Sequence, residues 1–177
     1  VCVPGAKLVG SSVKRTILRP ETDGTAMSGS AYKTWNFAVG IFAPDVTVSN
    51  LTIRSAFVGV YAWSASEVAG ARATVAACNL RENVHGIVMQ GNGPRNAYSH
   101  LQVRDNACYG ISTVSGAAFD NLLVADNGGT GIYQHSNSQR PTSGVVNCTV
   151  VDNGGWGWYN GEGSPNTVRF INTIFGG

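Results

Sequence analysis

The feature that most constrains this chain is a short phrase that recurs along it. Asp-Asn, with glycine four residues after the asparagine, appears in VRDNACYGI, VADNGGTGI and VVDNGGWGW, and weaker copies are LRENVHGI and IRSAFVGV. A period of this kind is typical of a solenoid, in which each copy is one structural unit. The DNGGTG segment is therefore predicted to be a turn in a stack, since a phosphate-binding loop would occur once. The glycine of the five copies is Gly59, Gly86, Gly110, Gly131 and Gly157, so the period is 21 to 27 residues.

Apolar residues alternate with mostly polar ones on both sides of this turn. This alternation predicts short strands with one buried face. One copy cannot bury that face alone, whereas stacked copies can. The predicted inward columns before the turn are Leu51, Cys78, Leu101, Leu122 and Cys148, and Ile53, Leu80, Val103, Val124 and Val150. The column after the turn is Val60, Ile87, Ile111, Ile132 and Trp158.

The repeats NLTIRSAFVGVYA and NCTVVDNGGWGWY resemble the coil of a right-handed parallel β-helix of the pectin-lyase-like superfamily, which also contains carbohydrate-binding and sugar-hydrolase repeats. The resemblance covers residues 1–177 and implies a single all-β domain, either whole or a piece of a longer helix, with about seven coils at a strand spacing of ~4.8 Å. It also implies a buried asparagine ladder in the turn before the third strand of each coil. The residues of that column are Asn50, Ala77, His100, Asn121, Asn147 and Asn172.

Two covalent features are interpreted through this stack. Asn50 and Asn147 begin N-glycosylation patterns, but a buried ladder could not carry a glycan. Cys78 and Cys148 share an inward column three coils apart, too far for a disulfide, which needs Cα atoms within about 7 Å. All four cysteines are therefore expected to be free thiols.

Composition and charge limit the classes of partner. Charged residues make up 12% of the chain, the net charge is +2 and no basic block occurs, so nucleic acid is not an expected partner. No apolar run reaches the ~18 residues of a membrane span, so no membrane partner is expected. The expected partner is a polysaccharide or oligosaccharide, in an extracellular or periplasmic location. Exposed strand edges at the coil ends would also favour homo-oligomers.

In the resembled superfamily the ligand groove follows the outside of the first strand of each coil. This implies a carbohydrate-binding surface, because aromatic side chains pack on sugar rings. His135 is the best candidate for acid–base catalysis, with Asp126 or Asp152 as its carboxylate partner. The carbohydrate-binding candidates are Tyr61, Trp63, Tyr133, Tyr159 and Arg140.

Whether the chain has an enzymatic activity stays open at this point. The catalytic motifs of polygalacturonases, alginate epimerases and pectate lyases do not match this sequence. If it is an enzyme, it would be a polysaccharide lyase, hydrolase or epimerase. The alternative is a non-catalytic structural or assembly module.

Two charged columns complete the set of candidates. Asp105, Asp126 and Asp152 could share a Ca²⁺ ion, the one cofactor considered, although aspartate is also favoured in turns for its backbone hydrogen bonds. The second column is Arg54, Arg81 and Arg104, which could bind an anionic polymer or be neutralised by the neighbouring Glu82 and Asp105.

Overall fold

The computed structural model describes residues 3–20, 37–63, 73–90, 96–113, 116–135, 142–161 and 167–177. Within these ranges the chain forms three parallel sheets and no helix. None of the described residues belongs to a helix with the length and apolar character that crossing a membrane requires.

Each sheet collects one strand from every coil. Sheet A contains β1 (Lys7–Val9), β4 (Val46–Ser49), β7 (Ala73–Ala76), β10 (Asn96–Ser99), β13 (Ala117–Asp120), β16 (Thr142–Val146) and β19 (Thr167–Ile171). Sheet B contains β2 (Ile17–Leu18), β5 (Thr52–Arg54), β8 (Asn79–Arg81), β11 (Gln102–Arg104), β14 (Leu123–Ala125), β17 (Thr149–Val151) and β20 (Ile174–Gly176). Sheet C contains β3 (Phe37–Ile41), β6 (Val58–Trp63), β9 (His85–Gln90), β12 (Ile111–Thr113), β15 (Ile132–Gln134) and β18 (Trp158–Asn160).

The strand pairing confirms the predicted parallel β-helix. In sheet B, Val103 pairs with Leu80 on one side and Val124 on the other. In sheet C, Ile111 pairs in the same way with residues of the preceding and following coils. About seven coils were predicted, and about five are regular: residues 21–36, between β2 and β3 in the sequence, lie outside the described ranges, and the last coil adds only β19 and β20.

The predicted inward columns form the core. The five residues of the sheet B column are all fully buried, and they join the sheet C column in one cluster that runs along the helix axis. Burying an aliphatic side chain of this size contributes about 1.5–3 kcal/mol, and this repeated burial is what makes the stack stable. The sheet B column is Ile53, Leu80, Val103, Val124 and Val150.

The corner between sheets A and B is made by one residue with a left-handed backbone. Its φ lies between 49° and 57° in six coils, a conformation that asparagine tolerates better than most residues. The prediction that this column forms the buried ladder is wrong, because its asparagines and its histidine are exposed. The need for positive φ explains the asparagines instead. The column is Asn50, Ala77, His100, Asn121, Asn147 and Asn172.

An asparagine ladder does exist, at the corner between sheets B and C. One left-handed residue, such as Asp105 or Asp126, is followed there by an asparagine that points inward. Asn106 Nδ2 donates to Asn127 Oδ1 at 2.8 Å, and the same bond joins each neighbouring pair of rungs at 2.8 to 3.1 Å. The turn after the third strand therefore holds the ladder. Its rungs are Asn83, Asn106, Asn127 and Asn153.

The glycine that marks every copy is required by this ladder. A Cβ atom on Gly110 would lie 2.6 Å from the backbone oxygen of Gly131 and 3.0 Å from Nδ2 of Asn127. Neighbouring coils therefore approach too closely at this position for any side chain. The repeat's most regular residue is explained by packing between coils, with no need for a ligand.

The cysteines of the described residues are free, as predicted. Cys78 and Cys148 are buried in the inward column, and Cys108 is partly exposed. Burial is the main reason that the pKa of the Cys78 thiol is raised, so this thiol stays protonated. Cys2 lies outside the described residues.

Candidate functional site

A row of aromatic rings follows the outer side of sheet C, and we call it the aromatic band. The centroid distances between successive rings are 5.6, 5.5, 5.4 and 5.1 Å. Every ring comes from a different coil and every residue is partly exposed. The band therefore runs along the helix axis on the surface. Its members are Phe57, His85, Tyr109, Tyr133 and Tyr159.

Sequence reasoning identified two members of the band and missed the others. Tyr133 and Tyr159 pair in register in sheet C, as their equal positions in the repeat predicted. Tyr109 stands two residues before the inward Ile111, whereas Tyr133 stands one residue after the inward Ile132. These positions belong to different columns of the repeat, so the sequence pattern did not group Tyr109 with Tyr133. Only the contact between their rings in the structure places both in the aromatic band.

Much of each ring face is covered by the neighbouring ring of the band. Tyr133 and Tyr159 are stacked with an interplanar angle of 17°, and Tyr109 is tilted by 31° to Tyr133. Aromatic pairs of this kind contribute about 0.5–1.5 kcal/mol beyond burial. A centroid distance of 5.1 Å leaves no room for a sugar ring between them. A ligand would meet the ring edges, and at Tyr159 the face that is turned away from Tyr133.

The structure separates the two remaining aromatic candidates. Tyr61 was expected to line the groove, but it is only 3% exposed. Its ring stacks on Phe37 at 5.5 Å and contacts Phe42 edge-on at 6.2 Å, so it belongs to a small apolar cluster. Trp63, two residues further along β6, is 45% exposed and is available to a ligand.

His135 lies directly after β15 and beside the aromatic band. Its ring contacts Tyr133 edge-on at 4.3 Å, and its Nε2 is 3.0 Å from Oγ of Ser112. Burial lowers the pKa of His135, which favours the neutral imidazole at neutral pH. The sequence did not indicate Ser112, although the register pairs it with Tyr133.

The expected catalytic partners of His135 are not brought to it. Asp126 and Asp152 lie at the corner between sheets B and C, before the strands of sheet C, whereas His135 follows its strand. Among the described residues, no hydrogen bond or ion pair joins either carboxylate to this histidine. The described residues therefore do not assemble an acid–base pair around His135.

The aspartate column does not gather into a metal site. Across the described ranges, no group of three histidine, cysteine, aspartate or glutamate residues could hold a metal ion. Asp105, Asp126 and Asp152 all have φ between 53° and 56°. Their place in the repeat is accounted for by the left-handed turn, which aspartate tolerates.

The arginine column is present, with nearby carboxylates. Arg81 pairs with both Arg54 and Arg104 in the register of sheet B. Glu82 forms an ion pair with Arg81 and lies 3.8 Å from Nη1 of Arg54, while Asp105 Oδ2 is 2.6 Å from Nη1 of Arg104. Two carboxylates thus offset most of the charge of three guanidinium groups. Binding of an anionic polymer here stays a prediction.

Arg140, the remaining carbohydrate-binding candidate, lies outside the described residues.

A family model described as right handed beta helix region matches residues 34–175. No curated protein and no solved structure matches the chain. The matched range covers most of the sequence and includes all strands of sheet C, so the chain belongs to the right-handed β-helix family.

Proposed function

We propose that this chain binds a polysaccharide or oligosaccharide along the aromatic band. The observation that carries the proposal is the unbroken row of ring contacts across five coils at partly exposed positions. A contiguous apolar patch at the surface, such as this row of partly exposed rings, is typical of a binding surface. Tyrosine also combines an apolar ring with a hydroxyl, which suits a partner that has both characters.

A linear polymer fits this surface better than a compact ligand. Strands of one sheet are ~4.8 Å apart, so similar groups recur at that interval along the axis. A polymer with a repeating unit can make the same contact at successive rungs. The partly exposed His135 adds an imidazole beside Tyr133 for hydrogen bonds to sugar hydroxyls, and the buried Ser112 holds its ring through a 3.0 Å contact with Nε2. An extracellular or periplasmic location, where such polymers occur, goes with this proposal.

The proposal concerns binding and includes no catalytic step. His135 has Ser112 and Tyr133 as neighbours, and among the described residues no hydrogen bond or ion pair joins it to Asp126 or Asp152. Turnover by a lyase, hydrolase or epimerase mechanism needs a positioned acid or base near the reacting bond. We therefore place His135 among the residues that contact the ligand.

The test is affinity electrophoresis of the purified chain through gels that contain neutral or acidic polysaccharides. Replacing both Tyr133 and Tyr159 with alanine should weaken binding at least tenfold, since two neighbouring contacts are lost. Phe170→Ala, a change at an exposed aromatic residue of sheet A, is the matched control and should leave binding unchanged. Equal retardation of the double variant and the parent chain would refute the proposed surface.

A second candidate function is assembly through a coil end. Within the described residues β19 and β20 pair on one side only, and four of their apolar side chains are 41% to 63% exposed. Unpaired edges with apolar side chains favour pairing with a further coil of this chain or of another. Light scattering over a range of concentrations tests it, since a monomer at all concentrations would contradict self-association. The four residues are Phe170, Ile171, Ile174 and Phe175.

A further inference from the structure

We infer that the aromatic band selects neutral glycans over polyuronates and other anionic polymers. This inference rests on the proposed function, because it names the chemical class of ligand that the same surface takes. Its basis is the distribution of charge on the band and along the corner beside it.

The band itself carries no formal charge in the described part of the chain. Its first member is Phe57, and its other four members lie in two rows along sheet C, neither of which contains an aspartate, glutamate, lysine or arginine. Burial lowers the pKa of His85 and of His135, so both imidazoles favour the neutral form at neutral pH. The rows are Val58, His85, Tyr109, Thr130 and Trp156, and Tyr61, Val88, Ser112, Tyr133 and Tyr159.

A row of exposed carboxylates borders the band at the corner between sheets B and C. Arginines pair with Glu82 and Asp105, which offsets their charge. Within the described ranges no cation pairs with Asp126 or Asp152. Of the described carboxylates at this corner, the two without an ion pair therefore lie in the coils that also hold Tyr133 and Tyr159.

The reach of this charge depends on salt. Asp126 precedes Tyr133 by seven residues, as Asp152 precedes Tyr159. Seven residues span at most ~25 Å, and the corner shortens that distance. The screening length is about 30 Å at 0.01 M salt and about 3 Å at 1 M salt. At ~15 Å in water one unit charge changes the affinity for another by somewhat less than twofold, so two carboxylates facing several uronates should give about two- to fivefold.

The experiment compares polygalacturonate with its fully methyl-esterified form at matched chain length, because esterification removes the charge and keeps the backbone. Binding is measured by titration calorimetry at about 0.01 M and about 1 M salt, where the screening lengths differ tenfold. We expect tighter binding of the ester at low salt and a smaller difference at high salt.

Replacing both Asp126 and Asp152 with asparagine tests the cause. Asparagine holds the same left-handed backbone at the other corner, as at Asn121 and Asn147, so the fold should persist. Affinity for polygalacturonate at low salt should rise about two- to fivefold, with that for the ester unchanged. Asp120→Asn, at an exposed position on sheet A, should change neither affinity.

Three outcomes would overturn the inference, and they differ in what they say about the band. Tighter binding of polygalacturonate than of its ester, abolished by Tyr159→Ala, would refute the preference for neutral ligands and keep the glycan site. Tighter binding that is abolished by Arg81→Gln would move the site to the arginine column. Failure of the ester and of a panel of neutral glucans, mannans and galactans to bind would refute the proposed function together with the inference.

Discussion

Replacing Asn127 with alanine removes an inner rung of the buried asparagine ladder. Its Nδ2 donates to Asn153 Oδ1 at 2.8 Å and to the backbone oxygen of Val103 at 3.1 Å. Its Oδ1 accepts from the backbone nitrogen and the Nδ2 of Asn106, at 3.2 and 2.8 Å. Alanine would thus delete four hydrogen bonds and leave the buried backbone N–H of Asn106 without a partner.

The expected cost follows from these contacts. A buried hydrogen bond contributes about 0.5–1.5 kcal/mol net, and a buried donor left without a partner costs about 1–3 kcal/mol. The side-chain amide of Asn106 is not left without a partner, because its Nδ2 also donates to the backbone oxygen of Leu80 and keeps that bond. We expect the free energy of unfolding to fall by about 3 kcal/mol, with a range of about 2 to 5 kcal/mol.

Urea unfolding followed by circular dichroism measures this change. Gln102→Ala is the control, because it removes an exposed polar side chain from a neighbouring strand and should cost less than about 0.5 kcal/mol. Asn83→Ala should cost less than Asn127→Ala, since Asn83 makes three side-chain hydrogen bonds in the ladder. A loss below about 1 kcal/mol for Asn127→Ala would refute the claim that the ladder stabilises the corner.

Ala77→Asn should raise the free energy of unfolding by about 0.5–1 kcal/mol, because φ is 49° at this position and asparagine tolerates that conformation; an unchanged or lower melting temperature would contradict this. Gly110→Ala should destabilise by more than about 2 kcal/mol, because its Cβ would meet a backbone oxygen at 2.6 Å, whereas Gly144→Ala has nothing within 4 Å; equal melting temperatures would refute the packing argument. Burial lowers the pKa of His85 and His135 from 6.5, so the unfolded chain binds protons more tightly. The stability contributed by the neutral rings is therefore present above pH 6.5 and is lost as the pH falls through the folded-state pKa values of the two histidines. A urea midpoint that does not decrease between pH ~7.5 and ~5 would contradict this expectation.

The sequence alone was sufficient for the fold and for its core. Inward residues recur at the same position in each copy, as Leu80, Val103 and Val124 do, because every coil buries the same face. Alternation along a strand is a local property, so it can be read without knowing which coils are neighbours. The same logic correctly aligned Tyr133 with Tyr159 and Arg81 with Arg104.

The sequence could not decide which asparagine column points inward. Asn121 and Asn127 both stand at corners, and asparagine is favoured both for positive φ and for buried amide hydrogen bonds. At one corner the left-handed residue is Asn121 itself, which leaves its side chain exposed. At the other corner Asp126 takes the left-handed conformation and turns the next residue, Asn127, into the core.

The candidate site depended still more on tertiary structure. Tyr109 and Tyr133 occupy different positions in their copies, yet their ring centroids lie only 5.4 Å apart. Tyr61 matches Tyr133 in the repeat but is buried, since Phe37 and Phe42 cover it. Phe37 is the first residue of β3, and Phe42 directly follows the last residue of that strand. This strand belongs to the preceding coil, whose sequence does not match the repeat. The repeat therefore determined the backbone position from which each side chain projects. The neighbouring coil decided whether that side chain is exposed and which rings it contacts.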